Sequence, residues 1–500
     1  MLMLWMWNPY TVFSPVASAA TLRQTPHPDV AGQTPQFSDT VLLTASQLSK
    51  WSLRLVFVAV IARAMGPVEF GSYALIFAMV EFLAVASGAA YADYLTREAA
   101  TGERAAWALA LQLMLLRVAI AIPAAAIEIG ILSIMRYPHA VLSGTAWMAM
   151  TMLPRSLSEA VQGVLRGVHR FCSVLAIELT LGTGLVAGAV ILFLRHGGLS
   201  MAVATELAAA AAAGVVGLAF LLRFKTQEQT WLSGWQVVKR GLIFNIYSFV
   251  VNLYDRFDVV LLSKLSGDYS TGIYAVAYRA VSMTQILPHA VLYSLLPTLS
   301  RNPQGEEERA RLKKAMGLLL SVGFVVVLAT MVFATPVVGL VLGPQYVESA
   351  LALKILIWAV ILRYVNCALN FALLASGRER VFVTTSLVCL AVNFVGNVVF
   401  IPLYSWRAAA ILTIATEAVL LAQNVYWIRH TLGNMEMPIG AVRSTAGFLT
   451  LLAVVEVGGR WVSPFLIGSA CLLIFIGYLL LSGLANKFAG VWEQQGDAAA

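Results

Sequence analysis

The stretches GPVEFGSYA (66–74) and GDYSTGIYA (267–275) share the pattern G-x-x-x-x-G-x-Y-A at a displacement of 201 residues. Each stretch lies between two apolar runs of about 20 residues, the length a helix needs to cross the hydrocarbon of a bilayer. Glycine supplies positive φ without steric cost, so the pattern reads as a tight turn between two helices. Its tyrosine, Tyr73 or Tyr274, falls where the second helix enters the bilayer, and an amphipathic ring suits that interface. Two further matches keep the same order. Gly167 precedes His169, Arg170 and Phe171, and Gly377 precedes Arg380 and Phe382, displaced by 210. Ala204-Thr205-Glu206 recurs as Ala415-Thr416-Glu417, displaced by 211. One match could be chance, but three in one order at nearly one offset indicate an internal repeat.

Working outward from the repeat, fourteen apolar spans follow: 41–65, 70–93, 106–133, 140–162, 171–194, 199–222, 237–263, 272–299, 315–341, 351–375, 381–403, 407–428, 441–459 and 463–484. The expected fold is an all-α integral membrane protein, with spans 1–6 and 7–12 forming two parallel six-helix bundles and two C-terminal helices appended. The expected domains are an N-terminal tail at 1–40, bundles at 41–225 and 226–430, and the last two helices with a cytoplasmic tail at 431–500. The tail begins MLMLWMW and turns Pro-, Thr- and Gln-rich. Lacking a basic n-region, it reads as a disordered or interfacial segment rather than a signal peptide. Six spans is an even number, so the copies share one orientation and are related by an axis along the membrane normal; substrate in such transporters sits between the halves near mid-depth.

Composition points the same way. The chain is 60% apolar and 12% charged, with a mean hydropathy of +0.81, against about 45–50% and 25% in soluble domains. Too few polar groups exist to cover such a surface in water. In lipid every backbone amide must be paired internally, and runs that do not alternate make helices rather than a barrel. The net charge of +8 sits mostly in short loops, which is an orientation signal rather than a nucleic-acid footprint. Nineteen Lys and Arg lie on the side of the N-terminus, seven on the other and seven within spans. That bias places both termini in the cytoplasm. Cys172, Cys367, Cys389 and Cys471 lie in or beside apolar runs without metal-ligand spacing and read as small core residues.

The stretch ARAMGPVEFGSYALI (62–76) resembles the first hairpin of the polysaccharide-lipid flippases, a family of the multidrug/oligosaccharidyl-lipid/polysaccharide exporter superfamily. YDRFDVVLLSKLSGDYSTGIYAVAYR (254–279) resembles the seventh and eighth helices, with Asp258 at the family's frequent Asp. LLPTLSR (295–301) resembles the Pro-containing end of helix 8, and 373–417 resembles helices 10–12. The turn before span 12 departs from the pattern: the family usually has a small pair such as Gly-Gly, and here it is Ser405-Trp406-Arg407. The resemblance implies fourteen helices and passage of an undecaprenyl-diphosphate-linked oligosaccharide across a bacterial inner membrane. The implied partners are that lipid-linked oligosaccharide, membrane lipid, a polysaccharide polymerase and chain-length proteins. No cofactor is implied, and nothing points to nucleic acid.

Ionisable groups at membrane depth cost about 2.5–3.5 kcal/mol each on insertion scales, so they usually face a cavity or a partner. The basic set is Lys50, Arg54, Arg117, Arg256, Arg279 and Arg363. Lys50 and Arg54 are four apart and share a helix face. Spans 1 and 7 are equivalent under the repeat and both carry charge, as a shared cationic cavity requires. Such a cavity attracts a diphosphate, because arginine forks match phosphate oxygens. The same side chains could instead pair with local acids or snorkel to headgroups, and Arg256 lies beside Asp255 and Asp258. Glu206 and Glu417, at equivalent positions, suit a shared pairing role or ion coupling. Arg363, Asn366 and Asn370 share one face and suit interhelical hydrogen bonds or sugar hydroxyls. Pro123, Pro154, Pro288 and Pro402 fall in or near spans and can kink them. The chain has no metal-ligand cluster, P-loop or nucleophile elbow, so the leading reading is a non-enzymatic flippase working by alternating access. An ion-coupled small-molecule antiporter of the same superfamily is the alternative. A polymerase or ligase would need a large outward loop.

Overall fold

The computed structural model describes residues 37–88, 91–101, 103–224, 234–301, 305–433, 439–458 and 463–481. The first 36 residues of the expected tail and the last 19 residues of the chain lie outside them. Among the described residues the chain is helical, with no strand. The helices are α1 (Phe37–Ala86), α2 (Tyr91–Thr101), α3 (Glu103–Ile134), α4 (His139–Ala149), α5 (Met152–Gly167), α6 (Phe171–Leu194), α7 (Leu199–Phe224) and α8 (Gly234–Met283). They continue with α9 (Ile286–Arg301), α10 (Glu306–Val341), α11 (Val347–Leu356), α12 (Ala359–Ala375), α13 (Glu379–Tyr404), α14 (Trp406–Leu432), α15 (Ile439–Gly458) and α16 (Pro464–Leu481). They form two compact units, Met1–Gly272 and Ile273–Ala500.

The chain is a multi-pass membrane protein. On α13, Val388, Val392, Val395, Val399 and Leu403 form one exposed apolar stripe at helical spacing, with Leu403 70% exposed. Ile127, Ile131 and Ile134 do the same on α3. In water such ridges would be aggregation sites, and in a bilayer they are the lipid face. Among the described residues seven helices are long and apolar enough to span, within α1, α3, α6, α7, α10, α13 and α14. The bent pair Pro344–Leu356 and Ala359–Ala375, angled at 43°, makes an eighth. The other expected spans fall on the second part of α1 and on shorter, broken or only partly described helices.

The long helices α1 and α8 are each 50 residues, about 75 Å at 1.5 Å per residue, far more than one bilayer crossing. Each is broken by the first glycine of the repeated motif, Gly66 at φ 75°, ψ 172° and Gly267 at φ 85°, ψ 174°. The positive-φ reading therefore holds for the first glycine of each motif. The second glycine serves close approach instead. A Cβ on Gly71 would overlap the carbonyl of Asp268, and a Cβ on Gly272 would overlap the carbonyl of Pro67. Pro67 and Asp268 are themselves equivalent at the 201-residue displacement, so the contact is reciprocal. The Ser72 hydroxyl adds a 2.6 Å hydrogen bond to the Asp268 carboxylate.

Four other readings change. Tyr73 and Tyr274 are fully buried rather than interfacial, because each hydroxyl finds a partner inside the protein. The turn after span 4 matches the turn after span 10 at 208 residues, not 210. Positive φ occurs at His169 (58°) and Gly377 (69°), and Arg170 and Arg378 precede the next helices. Pro154 and Pro288 sit in the first turns of α5 and α9, where a missing N–H costs nothing; they restart helices after breaks instead of kinking them, whereas Pro123 and Pro402 are inside α3 and α13. Cys172 is exposed, while the other three cysteines are buried. In the unusual turn Ser405-Trp406-Arg407, Ser405 itself takes positive φ (55°).

In the second unit, α15 docks on α10 through stacked Phe324 and Phe448, 4.5 Å between centroids, and a Ser321–Ser444 hydrogen bond, and α16 docks through Phe465 edge-on to Phe333 at 5.5 Å. In the first, α6 and α7 approach through Gly184 against Ala209 and Gly188 against Thr205, the small-residue packing of membrane helices.

The glycine contact gives a direct test. Gly71→Ala should destabilise the purified protein by about 1–3 kcal/mol, as overpacking does. Gly130→Ala, where a Cβ meets nothing, should be neutral or stabilising by up to about 1 kcal/mol through helix propensity. Thermal unfolding in one detergent compares the two.

Candidate functional site

The charged residues of the first unit come together because helix periodicity stacks them in rows. On α1, Lys50 and Arg54 are four apart, and beyond the Gly66 break Tyr73, Phe77 and Glu81 continue at steps of four. Facing rows come from Arg155 and Glu159 on α5, Glu178 on α6, Glu206 on α7, Arg117 on α3 and Arg256 on α8.

Arg54 is the centre of this arrangement. Its guanidinium donates from Nη1 to Glu206 Oε2 at 2.9 Å, and its Nη2 lies 2.7 Å from Oε1, a two-pronged pair. The Tyr73 hydroxyl donates to the same carboxylate at 2.5 Å. The Arg54 guanidinium also lies over Phe57 and Phe77, at 5.1 and 4.7 Å from the ring centroids. Arg256 lies over Phe77 as well, at 5.3 Å, so one ring contacts two cations, a geometry its quadrupole favours. Lys50 pairs with Glu178 at 3.1 Å. Arg155 pairs with Glu81 at 3.0 Å and Glu159 at 3.6 Å. Arg117, only 2% exposed, reaches the other oxygen of Glu159 at 2.8 Å. Five basic groups thus face Glu81, Glu159, Glu178 and Glu206.

The second unit repeats the theme with different helices. Arg363 Nε donates to Glu417 Oε1 at 2.8 Å and Nη2 to the Tyr278 hydroxyl at 3.3 Å, with the guanidinium 5.4 Å from that ring's centroid. Asn366 donates to both the backbone and the carboxylate of Glu417, at 2.9 and 3.0 Å, and accepts from Asn424. Tyr274 meets Thr413 at 3.1 Å. The equivalent glutamates of the two copies thus each bind an arginine, from α1 in one unit and α12 in the other.

Of the residues singled out in the sequence, Lys50, Arg54, Arg117, Arg256 and Glu206 join the first-unit network, and Arg363, Asn366 and Glu417 form the second. Asp258 is buried and accepts from the backbone N–H of Val259 at 2.8 Å. Asp255 and Arg279 are partly buried on α8. Asn370 lies outside the Glu417 network, with its buried Oδ1 lacking a hydrogen-bond partner among the described residues. Sequence reading missed Arg155, the residue that links two acids: it lies within a span but is not singled out in the basic set. At the 208-residue register its repeat partner is Arg363. No group of His, Cys, Asp and Glu among the described residues is arranged to hold a metal ion.

Residues 37–303 match the family model described as polysaccharide biosynthesis protein. The chain belongs to that family. Its sequence likeness to the polysaccharide flippases of the multidrug/oligosaccharidyl-lipid/polysaccharide exporter superfamily holds with it. Two relatives come from Haloferax volcanii. One, named a probable low-salt glycan biosynthesis flippase, Agl15, is 22% identical over 48% of this chain and 52% of its own length. The other, named a probable flippase, AglR, is 26% identical over 32% of this chain and 35% of its own. The chain thus spans about half the length of the first and about a third of the second. Among solved structures, the lipid II flippase MurJ in an inward closed conformation superposes with a TM-score of 0.64 at 13% identity, covering 89% of this chain and 99% of that one. An inward-facing multidrug resistance MATE family transporter gives 0.61 at 13% identity, covering 82% and 98%. At such identities these superpositions establish the fold shared by this family member.

Removing one partner of a buried pair leaves an uncompensated charge, at a cost of about 3–5 kcal/mol, whereas removing both can be neutral. Glu417→Ala should therefore lower thermal stability strongly, and Arg363→Met in the same chain should recover most of the loss.

Proposed function

We propose that this protein moves an undecaprenyl-diphosphate-linked oligosaccharide across the cytoplasmic membrane of a bacterium by alternating access, with both termini in the cytoplasm. It acts as a transporter rather than an enzyme. The carrying observation is the Arg54–Glu206 pair within a membrane-buried cluster of five basic and four acidic side chains. A bare guanidinium in a bilayer is costly; paired with a carboxylate it is neutral, oriented and exchangeable. A diphosphate offers the same bidentate oxygen geometry with more charge, so it can replace the carboxylate on the arginine fork. Lys50, the most exposed member at 44%, stands one helical turn away on the same face. Arg117 and Arg256 supply the surrounding positive field. The names of the Haloferax relatives and family membership favour a glycan on a lipid over a free drug. Arg279, Arg363, Asp255, Asp258, Glu417, Asn366 and Asn370 belong in this reading to the polar lining and ion coupling. A polysaccharide polymerase and chain-length proteins would act on the product.

The test is transfer of a fluorescent undecaprenyl-diphosphate oligosaccharide across proteoliposomes. The double variant Arg54→Gln, Glu206→Gln keeps the site neutral and its shape. Charged hydrogen bonds contribute about 1.5–3 kcal/mol each, so transfer should slow about tenfold or more. Unchanged transfer would refute the role of Arg54. Ion-gradient-driven efflux of a small dye with no lipid transfer would favour the antiporter.

A further inference from the structure

Arg155 and Arg363 are 208 residues apart, as are the residues that cap their helices, Val168 and Ser376, and the residues that precede the next helices, Arg170 and Arg378. The turns match bond for bond: Arg170 N donates to Leu165 O at 2.8 Å, and Arg378 N donates to Leu373 O at 3.0 Å. Arg155 and Arg363 therefore occupy one position of the repeat, as Glu206 and Glu417 do. Yet their pairings differ. Arg363 holds Glu417, whereas Arg155 holds Glu81 and Glu159 and leaves Glu206 to Arg54. The four first-unit groups nevertheless interact crosswise, Arg155 electrostatically with Glu206 and Arg54 with Glu81.

We infer that Glu206 changes partner during transport, passing from Arg54 to Arg155 when an anionic headgroup takes Arg54, so that the first unit adopts the pairing the second unit already has. This inference rests on the reading that Arg54 binds the diphosphate. A carboxylate displaced from Arg54 with no new partner would be a bare charge beside the incoming phosphates and would repel them. Arg155 rehouses it. Glu81 then keeps Arg256 within electrostatic reach, and Glu159 keeps Arg117, so neither acid is stranded. Arg155 is thus a positioning residue, acting on substrate through Glu206.

Binding of undecaprenyl diphosphate to the full-length protein in nanodiscs tests this with a double-mutant cycle. Arg155→Gln should weaken binding about tenfold in the wild-type background, and by less than about twofold in the Glu206→Gln background, where no carboxylate needs a new partner. Equal effects in both backgrounds, or no effect in either, would overturn partner exchange and leave Arg155 structural. Glu81→Gln, which loosens Arg155 beforehand, should have the opposite sign and tighten binding; weaker binding would count against the exchange. Should Arg155→Gln fail to fold, Arg155→Lys, which keeps the charge and loses the fork, enters the same cycle under the same criteria. Arg54→Gln separates the two levels: if it leaves binding intact, the diphosphate reading itself fails, whatever Arg155 does.

Discussion

A charge within hydrocarbon must be matched, and the matching carboxylate of Glu206 organises the first unit. It receives both prongs of Arg54 and the hydroxyl of Tyr73, and so ties α7 to both halves of the broken helix α1. The Tyr73 contact depends on the Gly66 break, which redirects the chain before the Tyr73-Phe77-Glu81 row begins. Phe77 in turn lies under Arg54 and Arg256. Local backbone geometry, aromatic packing and electrostatics thus meet at one carboxylate. Buried pairs of this kind add little net stability compared with apolar packing. Their retention in an otherwise greasy chain fits a cluster held ready for an anion.

The repeat gives the same constraint two solutions. Both units carry the glutamate of the recurring Ala-Thr-Glu, on α7 and on α14, and both pair it with an arginine that lies over an aromatic ring. The first supplies the arginine from α1 and the second from α12. The first gathers five basic groups around four glutamates, while the second is closed by amides, with Asn366 donating to Glu417 and Asn424 donating in turn to Asn366. Divergence of this kind is expected when one copy binds a charged ligand and the other serves mainly as structure or as a coupling element.

Much of this was legible in the residues. Apolar runs, the G-x-x-x-x-G-x-Y-A motif and the Ala-Thr-Glu recurrence led to the helical repeat and to the equivalence of Glu206 and Glu417, because those features depend only on composition and spacing. The partners of the charges were not legible. Lys50 and Glu178 are 128 residues apart, and Arg54 and Glu206 are 152 apart, so only the packing of α1 on α6 and α7 joins them. Arg155 was missed for a narrower reason. Aligning Gly167 with Gly377 sets Arg155 against Val365, but the backbone places positive φ at His169, and a two-residue correction sets Arg155 against Arg363. Tyr73 and Tyr274 were misplaced because an amphipathic ring next to a turn resembles an interfacial anchor. The hydroxyl partners that draw both rings inward come from distant helices.

The central claim is that the fork of Arg54 exchanges a carboxylate for a phosphate. A structure determined in nanodiscs with undecaprenyl diphosphate bound measures this directly. The account predicts phosphate oxygens on the two terminal nitrogens of Arg54, with Glu206 moved off them. Arg54 still closed on Glu206, with the diphosphate held elsewhere, would contradict it.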